Sequence, residues 1–135
     1  MELREVSQLL YQLKLVTQET TTKFERETGF SITRYELMLY LQEQGECSQT
    51  TLQNELQIDS AAVTRHLKIL EEKQYVLRER NKENNREIVV KLTAKARKEL
   101  EQCQSEHAPS CNKKLISLSD DEGKLLLQLL KKIVK

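Results

Sequence analysis

Four side chains able to bind metal or undergo redox chemistry cluster near the carboxy end: Cys103, Glu106, His107 and Cys111, at spacings of three, one and four. On a helix those offsets turn several groups toward one face, and thiolate, carboxylate and imidazole are all zinc ligands. An ordinary polar helix face accounts for the same spacing, so no metal and no cofactor is assigned and the four stay candidates only. Cys103 and Cys111 would stand about 12 Å apart along an unbroken helix, too far for a disulfide within the chain. A pairing between two copies is the alternative. Cys47 falls near the short segment between two helices and reads as a buried structural thiol. Three cysteines without CxxC spacing build neither a disulfide scaffold nor a zinc ribbon. They fit a reduced, cytoplasmic protein.

A second constellation lies mid-chain. Val63, Leu67 and Leu70 are offset by four and three, the inner stripe of a helix from about Ala61 to Lys73. The opposite stripe is Ala61, Thr64, Arg65 and Lys68, small or cationic. Short side chains permit close approach to a groove floor, and arginine or lysine addresses guanine edges or phosphates. His66 lies in the same helix and reads as a partly buried structural residue. Beyond it, Tyr75-Val76-Leu77 and Ile88-Val89-Val90 flank the polar run Arg80-Asn81-Lys82-Glu83-Asn84-Asn85-Arg86. β-Branched flanks around turn formers predict a hairpin with a basic tip, suited to laying arginine into a minor groove.

The elements that hold these groups are helical. Leu3, Val6, Leu9, Leu10, Leu13 and Val16 predict an amphipathic helix over 2–26, stopped at Gly29. Thr33 with Glu36 has capping-box spacing and opens a second helix, with Leu37, Leu39, Tyr40 and Leu41 inside, ending at Gly45. Ser48 caps a short third helix, Thr50 to Gln57, and Asp59 or Ser60 caps the next. Thr93 caps a fifth helix running toward Pro109, and Ser119 with Glu122 boxes a last one rich in leucine. Short helix, tight turn, helix and hairpin in that order make a winged helix-turn-helix, mainly α with a small β-hairpin wing.

Composition sharpens the reading. The chain has 135 residues, 38% apolar and 32% charged, with one proline and three glycines. That suits one folded domain and excludes a disordered or loop-rich chain. Without tryptophan and with only two phenylalanines, stacking platforms for single-stranded nucleic acid are excluded. No apolar run is long enough for a membrane span. The net charge of +1 argues against a broad basic surface, but its distribution is uneven. Residues 1–46 carry five basic and eight acidic groups, and residues 60–92 carry eight basic and five acidic. No activated nucleophile, phosphate loop or paired-carboxylate motif appears, so the chain is not read as an enzyme.

The run from Leu52 to Leu100 resembles the MarR family of bacterial regulators, through the turn and recognition helix (IDSAAVTRHLKILEEK), the wing (RERNKENNREIVVKLT) and the helix after it. The segments SITRYELMLYL and SLSDDEGKLLLQLLKK fit as well. The resemblance implies a homodimer, with 1–30 and 94–135 as dimerisation helices and 31–93 as the winged helix-turn-helix. It implies a repressor of pseudo-palindromic operators in double-stranded DNA, relieved by a small-molecule effector where the two regions meet. Carried over by position, recognition-helix contacts are Ser60, Ala61, Thr64, Arg65 and Lys68. Wing contacts are Arg80, Asn84, Asn85 and Arg86, with Arg86 in the minor groove. A protein-interaction module without operator binding, and a zinc- or redox-responsive regulator, are the alternatives.

Two departures from the family pattern stand out. Asn84 replaces the aspartate that braces the wing arginine. Gln74 stands where a left-handed glycine usually follows the recognition helix, at a cost of about 1 kcal/mol if that conformation is kept. The oxidant-sensing cysteine near the first helix has no counterpart here. Glu36 aligns with a ligand of a zinc-sensing branch, but the histidines of that ligand set are absent apart from His107.

Overall fold

The computed structural model describes residues 1–84, 86–106 and 115–134. Among the described residues, six helices and three strands run in the order α1 (Leu3–Thr28), α2 (Ile32–Gln44), β1 (Cys47–Ser48), α3 (Gln49–Glu55), α4 (Ser60–Glu72), β2 (Val76–Arg80), β3 (Ile88–Leu92), α5 (Ala94–Glu106) and α6 (Asp120–Ile133). Most boundaries follow from local chemistry. α1 is closed by Gly29, whose φ of 80° is left-handed and whose N–H donates to the Glu25 carbonyl. Ser48 Oγ accepts from Thr51 N at 3.0 Å, and Asp59 Oδ1 accepts from Ala62 N at 2.7 Å. Thr93 Oγ1 takes Ala96 N at 3.1 Å, and Ser119 with Glu122 forms a complete capping box. The expected box at Thr33 and Glu36 does not form. Ser31 is the N-cap and α2 starts at Ile32, so Thr33 already lies in the first turn. The residue leaving the Gly29 turn in extended conformation sets the start, and that is two positions earlier.

The hairpin pairs Val76 with Leu92 and Arg80 with Ile88. β2 therefore starts one residue later than expected and runs three residues further toward the tip, while β3 starts where expected and runs two residues further toward α5. A third strand was not anticipated: Cys47 and Ser48 pair antiparallel with Val90 and Val89, giving the order β1-β3-β2. Two residues are too few to show alternation. The connection from α3 to α4 is tight, as expected, and places Gln57 at φ 54°; Gln74 after α4 has φ 63°.

Leu37, Met38 and Leu41 of α2, Leu52 of α3 and Val63, Leu67 and Leu70 of α4 are buried together with Val76, Val90, Ala96 and Leu100. Leu39 and Tyr40, expected inside, are half-buried, and Met38 takes the central place. α1 and α6 differ: neither contributes a buried residue. Leu10 of α1 is 52% exposed and Leu125 and Leu127 of α6 are 56% and 54% exposed. Both helices have an apolar face that the described residues leave exposed.

Two polar joints fix α4. On its flank, Arg34 of α2 lies 3.3 Å from His66 Nδ1. Arginine only donates, so Nδ1 is the acceptor and the ring is neutral. Burial, then the Arg34 and Arg65 charges, hold the His66 pKa below its ordinary 6.5. Beyond its C-terminus, the three carbonyls of 73–75 are all taken by the start of α5. Lys95 Nζ donates to Lys73 O at 2.9 Å, Thr93 Oγ1 to Gln74 O at 2.8 Å, and Thr93 N to Tyr75 O at 3.0 Å.

Three outcomes are expected. Asp59→Ala removes the α4 cap and lowers unfolding free energy by about 1 kcal/mol in urea denaturation. Gln74→Gly relieves the left-handed strain and raises it by up to about 1 kcal/mol. For His66, the folded state disfavours the proton relative to the unfolded chain, so stability falls as pH drops through about 6.5 and below. His66→Gln removes that part of the slope between pH 7 and 5, readable from melting temperatures.

Candidate nucleic-acid interface

Everything on α4 follows from which face is buried. Val63 and Leu67 are fully buried and Leu70 nearly so, so the face opposite is turned outward. Ser60, Ala61, Thr64, Arg65 and Lys68 are all exposed. Five residues picked from helical spacing and resemblance are thus brought onto one bare face. Neither Arg65 nor Lys68 makes a hydrogen bond or ion pair among the described residues. Thr64 is different, because its hydroxyl donates to the Ser60 carbonyl at 2.9 Å and accepts from Gln49 Nε2 at 3.0 Å. Gln49, at the start of α3, was not singled out in the sequence. A contact fifteen residues away leaves no local signature.

The wing is tied to α4 by Arg78 of β2, which meets Glu71 through Nε at 3.4 Å and Nη2 at 3.1 Å. That hydrogen bond holds the Glu71 carboxyl below its ordinary range. Lys91 pairs with Glu46 at 3.3 Å. Two of the eight cations in 60–92 therefore serve the fold, and the exposed ones gather on α4 and at the tip. Arg80, Lys82, Asn84 and Arg86 are exposed there; Asn85 lies outside the described residues. The tip is closed by Asn81 N donating to Glu87 O at 2.8 Å and Glu87 N to Asn84 O at 3.0 Å. Asn84 Oδ1 accepts from the main-chain N–H of Arg86 at 3.2 Å. At the position of the family's bracing aspartate, the amide thus braces the backbone of Arg86 in an Asx-type turn.

Cys103 is buried and Glu106 exposed, while His107 and Cys111 lie outside the described residues. Among the described residues no cluster of histidine, cysteine and carboxylate side chains could hold a metal ion. Burial pushes the Cys103 thiol up, with Glu106 adding to it, and burial pushes Cys47 up also. Both thiols are thus shifted away from the reactive thiolate. Cys47 is half-buried in β1 rather than fully inside. Glu36, free of the capping role expected for it, is exposed on α2. An open cavity of about 360 Å³ runs between the α1–α2 corner and α5, past Phe30, Tyr75, Glu99, Gln102 and Cys103. A hydrogen bond to Glu99 pushes the Tyr75 phenol up to about 12. Among the described residues no helix is long and apolar enough to cross a membrane.

Comparison with known proteins meets this geometry at every element. Residues 30–88, from the corner before α2 to the start of β3, match the MarR family. YdgJ of Bacillus subtilis (strain 168), described as an uncharacterized HTH-type transcriptional regulator, is 42% identical over 126 residues, covering 93% of this chain and 77% of its own. Among solved structures, a mutant of MarR from E. coli complexed with operator DNA superposes with a TM-score of 0.84 at 24% identity, over 100% of both chains. Reduced AbfR bound to DNA gives 0.81 at 25% identity, over 97% of this chain and 92% of that one. The chain belongs to the MarR family, as a transcriptional regulator and not an enzyme.

Proposed function

We propose that the protein is a homodimeric, sequence-specific DNA-binding regulator, acting in the cytoplasm as a repressor that an effector releases. The observation that carries this is the outward face of α4, where Arg65 and Lys68 stand exposed and, among the described residues, unpaired beside the small Ser60, Ala61 and Thr64. A helix so made enters a major groove with short side chains against base edges and cations toward guanines or phosphates. The wing supplies Arg80, Asn84, Asn85 and Arg86, with Arg86 laid into the adjacent minor groove. The operator-bound and DNA-bound relatives share this fold along nearly the whole chain.

Dimerisation rests on the leucines of α1 and α6. Exposed apolar faces on two helices, of 26 and 14 residues, are covered by pairing with a second copy, which also presents two recognition helices to a pseudo-palindromic site. Residues 1–30 and 94–135 then form the dimerisation region and 31–93 the DNA-reading lobe. Effector release is supported by the cavity at Phe30, Tyr75 and α5, which lies where those two regions meet.

Fluorescence anisotropy with duplex DNA from beside its own gene tests the reading. Specific duplex should bind about 10³-fold tighter than random duplex, with affinity falling steeply as salt rises. Equal binding to both at every salt concentration would refute it. Arg86→Ala should weaken binding by about tenfold to a hundredfold while the circular dichroism melt stays unchanged. Sedimentation should show a dimer at micromolar concentration, and Leu130→Glu, placing a charge on the apolar face of α6, should shift it to monomer.

A further inference from the structure

We propose that Thr64 reads a thymine in each half-site through its methyl group, its hydroxyl being already consumed by the protein. This rests on α4 being the groove-reading helix. Thr64 is exposed on the outward face, yet its hydroxyl hydrogen goes to the Ser60 carbonyl at 2.9 Å and its oxygen receives Gln49 Nε2 at 3.0 Å. Turning the Gln49 amide by 180° does not free the hydroxyl. The side-chain oxygen of Gln49, buried and without a partner as placed, would then face Thr64 and take the hydroxyl hydrogen itself. In both orientations Thr64 has no proton left for the N7, O6 or O4 acceptors that line the major groove.

What it still presents is a γ-methyl and an oxygen that can only accept. Ala61, one helical turn earlier on the same face, adds a second methyl. Among the four bases only thymine carries a methyl in the major groove. Arg65 beside them makes no hydrogen bond or ion pair among the described residues, so the face combines an apolar reading spot with a cationic one. Gln49 is a positioning residue in this scheme. Half-buried at the start of α3, it holds the Thr64 oxygen inward and acts on sequence choice without reaching the DNA.

The test begins by selecting duplexes from a randomised pool with the wild-type protein, then replacing each thymine of the enriched duplex by uracil, which removes only the methyl. One thymine per half-site should show a loss of about fourfold, or about fifteenfold when both half-sites are changed. Thr64→Val keeps the methyl and should keep that uracil penalty. Thr64→Ser keeps the hydroxyl and should abolish it. An enriched duplex without any uracil-sensitive thymine would overturn this inference alone, as would a penalty that persists in Thr64→Ser. A selected cytosine or adenine opposite Thr64, recognised through its amino group by that oxygen, would overturn it too. Failure to enrich any sequence would instead sink the DNA-reading function together with this inference. The uracil measurement uses unmodified protein, so the answer does not depend on how well the variants fold.

Discussion

The packing of Val63, Leu67 and Leu70 against α2, α3 and the sheet is the constraint on which the other features depend. A helix of thirteen residues advances about 100° per residue, so turning it by about a quarter turn would carry the apolar stripe off the core and bring Thr64 toward it. Fully burying a leucine is favourable by about 1.5–3 kcal/mol, and a stripe of three such residues leaves one rotational setting. That setting decides which side chains face outward. The polar joints then refine it. Asp59 holds the first turn, Arg34 the flank through His66, and Glu71 the last turn through Arg78. The cap at Asp59 is local, whereas the contacts of Arg34 with His66 and of Glu71 with Arg78 join separate elements that packing has brought together.

Charge is distributed under the same logic. A chain with a net charge of +1 cannot attract DNA by its overall field, and the fold further spends Arg78 and Lys91 on ion pairs with Glu71 and Glu46. What remains exposed is concentrated on α4 and the hairpin tip. Affinity built this way depends on a few placed cations more than on a general counterion cloud. It therefore places unusual demands on wing geometry, and the turn at Asn81 and Asn84 answers them with main-chain bonds. An aspartate in place of Asn84 would add charge next to Arg86. The amide gives up that charge and keeps the turn.

What could be read from the sequence was what is local. Ser48, Asp59, Thr93 and the pair Ser119 and Glu122 cap helices where their types and spacing say they should, because an N-cap involves only three or four consecutive residues. The inner stripe of α4 and the hairpin were visible for the same reason. The misplaced start of α2 shows the limit, since Thr33 and Glu36 have the right spacing but the chain direction out of Gly29 selects Ser31. Two-residue β1 is too short to carry a pattern. The joints that determine the candidate interface, Gln49 with Thr64 and Arg34 with His66, are separated by 15 and 32 residues. Pairs so distant meet only after the core has formed, and no spacing rule announces them. Asn84 was recognised as a departure from the family's aspartate, and its short side chain accepts from the backbone two residues on.

The knot of three bonds at the end of α4 has a mechanical meaning. Thr93 and Lys95 take the carbonyls of residues 73, 74 and 75, and Lys95 also lies 5.0 Å over the Tyr75 ring. The chain leaving α4 and the start of α5 are thus bonded into one corner. Such a corner resists sliding, so any movement of α4 relative to α5 would be a rotation about it, with α4 as the arm and Ser60 at its far end. At 1.5 Å of rise per residue that arm is about 20 Å long, and a swing of a few degrees moves its tip by more than an ångström. Tyr75, at the corner itself, forms part of the wall of the open cavity against α5.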